Sequence, residues 1–292
     1  MTRSVGPDLG MKLAVASISC LSLALGACAK ARPAPTQPTP SATAPAASDG
    51  ISFPAVSPKV GDTVTETNER TMAATVELGP TQRVHMLSSE QRTELKQVVA
   101  RDGDIVTKLK VTHRSVTSRE NLNGKPHVQP TPTVGKTYLV WRAGGELKVS
   151  YVDGTAPPAA EREEVRKGNR SVGRPASLER IMTGRVWKIG ERFELTAAQL
   201  AELNQVMAED EPSLTAMALT LRTVDDAVAT MAMTMTIVLR KAGDDMSIEL
   251  AGTVKLDRKT GRPLELTGTG PFAGVAKLKM VGTMSMKTRY LY

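Results

Sequence analysis

The chain has 292 residues, a formal net charge of +8, 3% aromatic residues and two cysteines, Cys20 and Cys28. Both cysteines lie near the start, which excludes a disulfide framework or thiolate chemistry in everything that follows them. With so few aromatics, a core must be built from Val, Leu, Ala and the 14 methionines.

In chain order, the first element is a signal. Residues 1–12 carry Arg3 and Lys12, and residues 13–27 read LAVASISCLSLALGA, an uncharged apolar run of fifteen. A basic start before such a run is the pattern of a secretory signal. The run falls short of the roughly 20 residues that a spanning helix needs, and no later run approaches it. It ends in Leu25-Gly26-Ala27-Cys28. These residues resemble the lipobox of bacterial lipoproteins, and the resemblance covers the signal region alone. It implies cleavage by lipoprotein signal peptidase between Ala27 and Cys28, a diacylglyceryl group on Cys28, and a membrane anchor in the envelope of a Gram-negative bacterium. Ala29 stands where that family often carries an inner-membrane retention aspartate, which implies the outer membrane with the body facing the periplasm. The other reading is an ordinary secretory signal with an incidental thiol at Cys28. Nucleic acid is not an expected partner in that compartment.

Residues 28–50 continue as CAKARPAPTQPTPSATAPAASDG. Proline, alanine and threonine in this mixture bury no core, so the segment reads as a disordered linker. Residues 51–292 then form the folded body, with two similar halves, 51–156 and 186–292, joined by a helical connector, 157–185. Strand candidates in the first half are 63–78, 94–101, 104–116, 136–142 and 146–152, with Asp102-Gly103 and Gly144-Gly145 at hairpin positions. Helix candidates are 159–168, 177–182 and 196–209, the last with Thr196 as its cap.

The last third alternates strictly. Met217, Leu219 and Leu221 share a face, as do Met231, Met233, Met235, Ile237 and Leu239. The same holds for Ile248, Leu250, Val254 and Leu256, and for Met280, Met284, Met286, Tyr290 and Tyr292. A period of two marks half-buried strands. Breaks at 225–226, 242–245, 258–261 and Gly270-Pro271 make residues 214–292 a five-stranded antiparallel meander. The expected fold is mainly β: antiparallel meander sheets, two related halves forming an open or curved half-barrel, and a few helices between and over the sheet.

Motifs for chemistry do not accumulate. Val134-Gly135-Lys136-Thr137 ends like a phosphate loop, but Pro130 stands where the loop needs its first glycine. His85, His113 and His127 form no tight ligand spacing. No catalytic residue, metal site or cofactor is assigned. Basic residues cluster between Arg166 and Lys188, and on one face of the last strand at Lys277, Lys279, Lys287 and Arg289. Such surfaces suit anionic headgroups, an acidic partner, or plain solvation.

Three readings exist for the methionines. Thioethers select copper(I), but no histidine follows His127. Met231, Met233, Met235, Met280, Met284 and Met286 are either adaptable core under a helix or an open face for a hydrophobic ligand. The second reading resembles the carriers that ferry lipids or lipoproteins across the periplasm. The function expected is therefore non-enzymatic: a binding, interaction or structural role in the envelope, or carriage of a lipid-like ligand, with a hydrophobic ligand or an envelope protein as partner.

Overall fold

The computed structural model describes residues 50–292 apart from 78–81, 129–130, 176, 206–212, 242–243 and 276–278. Ala27, Cys28 and all but the last residue of the linker lie outside the described residues. The elements in chain order are β1 (Ile51–Ser52), β2 (Thr63–Glu77), β3 (Arg83–Asp102), β4 (Ile105–Leu122), β5 (Lys125–Val128), β6 (Thr137–Ala143) and β7 (Glu146–Tyr151). Helices α1 (Ala159–Gly168) and α2 (Ser177–Met182) follow, then β8 (Val186–Trp187), β9 (Arg192–Glu194) and α3 (Ala197–Asn204). The chain ends with β10 (Ser213–Val224), β11 (Val228–Lys241), β12 (Asp244–Asp257), β13 (Pro263–Val275) and β14 (Lys279–Leu291).

Twelve strands make one antiparallel sheet, ordered β7-β6-β4-β3-β2-β14-β13-β12-β11-β10-β9, with β5 beside β4. The sheet does not close, and β7 and β9 are its edges. The meander β10–β14 follows the alternation in the sequence. Two of its turns rest on aspartates: Asp225 Oδ1 accepts from the Ala227 and Val228 amides, and Asp257 Oδ1 from the Thr260 amide and hydroxyl. The last strand pairs with the first long strand, from Lys279 opposite Glu77 to Leu291 opposite Thr65, which unites both halves of the chain in one sheet.

Two expected boundaries change. Strands β3 and β4 run well beyond the expected 94–101 and 104–116, because the pairing of β2, β3 and β4 continues through a polar middle to Val84, Met86 and Leu122 at the far end. Gly270-Pro271 does not end a strand: β13 runs through it to Val275. The β12–β13 pairing gives no partners between Ile248/Phe272 and Ala251/Thr269. Proline lacks the amide for a ladder bond. The backbones also press together here. A Cβ on Gly270 would stand 1.7 Å from the Glu249 carbonyl oxygen, and one on Gly252 would stand 1.8 Å from that of Thr267. Glycine is required at both positions, and the register is the same on either side of the gap.

The three helices do not dock alike. α3 starts with a complete capping box: the Thr196 hydroxyl accepts from the Gln199 amide, and the Gln199 side chain accepts from the Thr196 amide. Leu203 of α3 and Leu178, Ile181 and Met182 of α2 join Met217, Leu219, Met231 and Leu250 in the larger core. Helix α1 is charged, yet its residues 161, 164 and 165 fall on one face. Val165 packs into a second core with Val111, Tyr138 and Val140, while Glu161 reaches Tyr138 on β6 and Glu164 reaches Arg92 on β3.

Candidate functional site

The inner face of the sheet has two unlike parts. On β11–β14 it is apolar, and its methionines divide again. Met231, Met233 and Met235 are 0–3% exposed and belong to the core that α2 and α3 join. Met284 is also buried, while Met280 and Met286 are half-buried, as are Met72 and Met246. Cα pairing lines these up across strands. Met246 faces Gly274, which faces Met280; Gly270 faces Met284, which faces Met72; and Gly268 faces Met286.

The glycines of TGTGPFAG in β13 make room for these side chains. A Cβ on Gly268 would meet Met286 Cγ at 3.4 Å, and one on Gly274 would meet Met246 Cγ at 3.5 Å. On β14, a Cβ on Gly282 would reach Phe272 Cζ at 2.6 Å. The result is a shallow apolar floor of thioethers over a glycine strip. It lies at the rim of the sheet away from the β3–β4 turn. Thioether chains adapt to apolar partners of different shape.

On β2, β3 and β4 the inner face is ionic. Lys96 lies between two carboxylates, with Nζ 2.7 Å from Glu66 Oε2 and 3.3 Å from Glu94 Oε2. All three are at most 4% exposed. The network runs on in both directions. The Thr288 hydroxyl donates to Asn68 Oδ1 and the Asn68 amide to Glu66 Oε1. Arg92 donates to Glu94 and to Glu164 of α1, which also accepts from the Thr133 hydroxyl. Beside it, Glu161 accepts from Lys136, Tyr138 and Tyr151.

Burial works against the charges of Arg92, Glu94 and Lys96, and their partners outweigh it. The Glu94 carboxyl stays below the usual carboxylate range because Lys96 and Arg92 more than offset its desolvation. Lys96 is held above its ordinary value by Glu66 and Glu94, again against burial. His113 behaves differently. Burial pushes it down to about 4, with Arg92 and Lys96 acting in the same direction and Glu94 opposing. Its Nδ1 is 3.2 Å from Glu94 Oε1, but neither ring nitrogen makes a hydrogen bond among the described residues. The neutral ring lies edge-on to Tyr138.

The remaining residues singled out in the sequence scatter. His85 sits exposed, bonded to the Thr75 hydroxyl through Nδ1, and His127 lies on β5. Among the described residues no three His, Cys, Asp or Glu side chains stand together as a metal site. No described helix is long and apolar enough to cross a membrane. The basic residues of β14 are largely paired: Lys279 with Glu77, Lys287 with Glu265, and Arg289 with Glu69 and Glu265. The ionic cluster was not anticipated. Its signal was present in β2, where Thr63, Thr65 and Thr67 alternate with Val64, Glu66 and Asn68. The acid shares a face with the apolar residue, and that face is the inner one.

No protein-family model matches the sequence, and no curated protein is similar enough in sequence to count as a relative. Among solved structures, the chain is similar to one described as lipid–protein interactions in lipovitellin, with a TM-score of 0.39 and 8% identity over 80% of this chain. It spans 25% of the lipovitellin chain. It is also similar to DynF from the dynemicin biosynthesis pathway of Micromonospora chersina, with a TM-score of 0.22 and 7% identity over 85% of this chain and 92% of that one. A third is OpdK of Pseudomonas aeruginosa with vanillate, with a TM-score of 0.18 and 9% identity over 77% and 67% of the two chains. At such scores these likenesses carry no functional argument. What the geometry defines is a mainly β protein with one open twelve-stranded antiparallel sheet, a small β1–β8 ribbon, three helices among the described residues and a two-part inner face.

Proposed function

We propose that this is a lipid-anchored, periplasm-facing binding protein that holds a hydrophobic ligand of acyl-chain type against the methionine end of its inner sheet face. The observation that carries this reading is the half-buried set Met72, Met246, Met280 and Met286, continuous with the core yet still partly exposed. A flexible apolar floor suits an apolar chain of variable length. The ionic part of the inner face supports a non-enzymatic role. Its charged groups are engaged with one another across β2, β3 and α1, which rigidifies a scaffold and leaves few of them free to act on a substrate. The anchor rests on the lipobox residues Leu25 to Cys28. The proline-containing linker, at roughly 3.1 Å per residue, would place the body tens of ångströms from an outer membrane.

The test is native mass spectrometry of the full chain extracted in mild detergent. The expected result is a co-purifying lipid mass that is lost when Met280 and Met286 are both changed to Gln. Bare protein under every mild condition overturns the ligand. For the anchor, Cys28→Ser is expected to lose acyl labelling and leave the membrane fraction. A variant still firmly membrane-bound overturns it.

A further inference from the structure

A separate pocket lies at the other rim of the sheet, between α2, the β3–β4 turn and residues Ala55 and Val56. Its volume is 390 Å³, within the roughly 300–1,000 Å³ of small-molecule sites. Ala55, Val56, Ile105 and Pro175 give it apolar walls, and Asp102 and Asp104 stand exposed at its rim. Glu179 enters it from α2. This side chain belongs to a residue only 7% exposed. Its Oε1 is sealed from solvent and has no hydrogen-bond partner among the described residues. An unsatisfied buried carboxyl is costly, and one in the wall of a cavity needs an explanation.

The cations around Glu179 are already engaged. Arg180 pairs with Glu202 at 3.0 Å. Arg101 donates to the Ser57 hydroxyl and the Pro58 carbonyl. Arg262 stands 3.8 Å from Asp62 and lies over the Tyr292 ring. From β14, Tyr290 presents a neutral phenol; from β2, Glu66 is already tied to Lys96. Arg180 also lines the pocket, but its guanidinium is paired with Glu202, so among the described residues no lining cation is left for Glu179, Asp102 and Asp104.

We propose that this pocket binds a small organic cation, a primary ammonium or guanidinium on a short apolar stem. The charged head sits against Glu179 and the rim aspartates, and the stem against Ala55, Val56 and Ile105. Burial pushes the Glu179 carboxyl up to about 8, with Arg262 opposing, so the empty pocket holds a proton at neutral pH. An entering cation favours the carboxylate. The Glu179 O–H bond then breaks, its proton passes to the buffer, and no other bond changes.

The experiment is calorimetric titration of the full chain with n-pentylammonium at pH 7, in buffers of different ionisation enthalpy. Saturable single-site binding is expected, with release of about one proton per ligand. Glu179→Gln, which keeps the shape of the protonated acid, is expected to weaken binding about tenfold or more. Thermal unfolding of this variant reports whether it folds. Asp104→Asn, at an exposed turn remote from the core, is expected to weaken binding several-fold at low salt. n-Pentanol, the neutral isostere, is expected not to compete. Absence of saturable binding, equal binding of pentanol, or unchanged affinity in both variants overturns the proposal.

Discussion

Lys96 is the cation shared by the two buried carboxylates, Glu66 and Glu94. Among the described residues, removing it by Lys96→Met leaves buried Glu66 with only the Asn68 amide and Glu94 with only the longer ion pair to Arg92. Breaking a buried pair in this way costs about 3–5 kcal/mol, and urea denaturation at pH 7 is the measurement. Replacing all the partners together with apolar residues is expected to cost far less. His113 supplies the pH dependence at this site. Its folded value of about 4 lies below the ordinary 6.5, so the unfolded chain takes up a proton first as pH falls. The neutral-ring contribution is complete above 6.5 and declines between 6.5 and about 4, at roughly 1.4 kcal/mol per pH unit. Glu94 acts in the same direction at lower pH, because its depressed value is lost on protonation. His113→Phe is expected to flatten the denaturation midpoint between pH 6.5 and 4; an unchanged slope would place the acid sensitivity elsewhere. This cluster was the least legible part of the sequence. Glu66 of β2 alternates with threonines, and the charges of β3 alternate with Gln91, Thr93, Leu95 and Gln97, so composition alone does not say which face turns inward.

At the scale of elements, the alternating strands of the last third and the Thr196 cap were readable because each obeys a local rule. The continuation of β13 was not, because Gly270-Pro271 looks like a strand end and becomes a strand interior only when β14 pairs with it, opposite Met284 and Thr283. The glycines of the strip separate into two kinds. A methyl at 282 would meet the Ala73 carbonyl oxygen at 2.1 Å as well as Phe272, so Gly282→Ala is expected to destabilise by about 1–3 kcal/mol or more through overpacking. At 274 the nearest atoms are 3.5 Å away and belong to the flexible Met246, so Gly274→Ala is expected to be near neutral. Equal effects in chemical denaturation would contradict the packing of methionine over glycine. On α3, Thr196→Ala removes a hydroxyl that accepts from the Gln199 amide and is expected to cost about 1 kcal/mol.

At the scale of the molecule, the order of strands decides how stability is shared. Methionine alternation could not show that β14 lies beside β2, since that pairing joins positions more than two hundred residues apart. The join is extensive. It carries thirteen Cα partners, the Thr288–Asn68 hydrogen bond and the packing of Val64 with Tyr290. Neither half keeps these contacts when cut away. The first would expose the long edge of β2 and leave Glu66 without the Asn68–Thr288 support; the second would expose β14 along its full length. Unpaired edges of this kind template aggregation, and contacts so distant in sequence also make folding slow. The expected outcome is a single cooperative unfolding transition for residues 51–292, seen together by far-ultraviolet circular dichroism and by the fluorescence of Trp141 and buried Trp187. Residues 51–156 and 186–292 expressed separately are expected to be unfolded or aggregated, and to regain structure only when mixed. A stable monomeric half, or two separated transitions, would show that the β14–β2 seam joins two domains that fold independently.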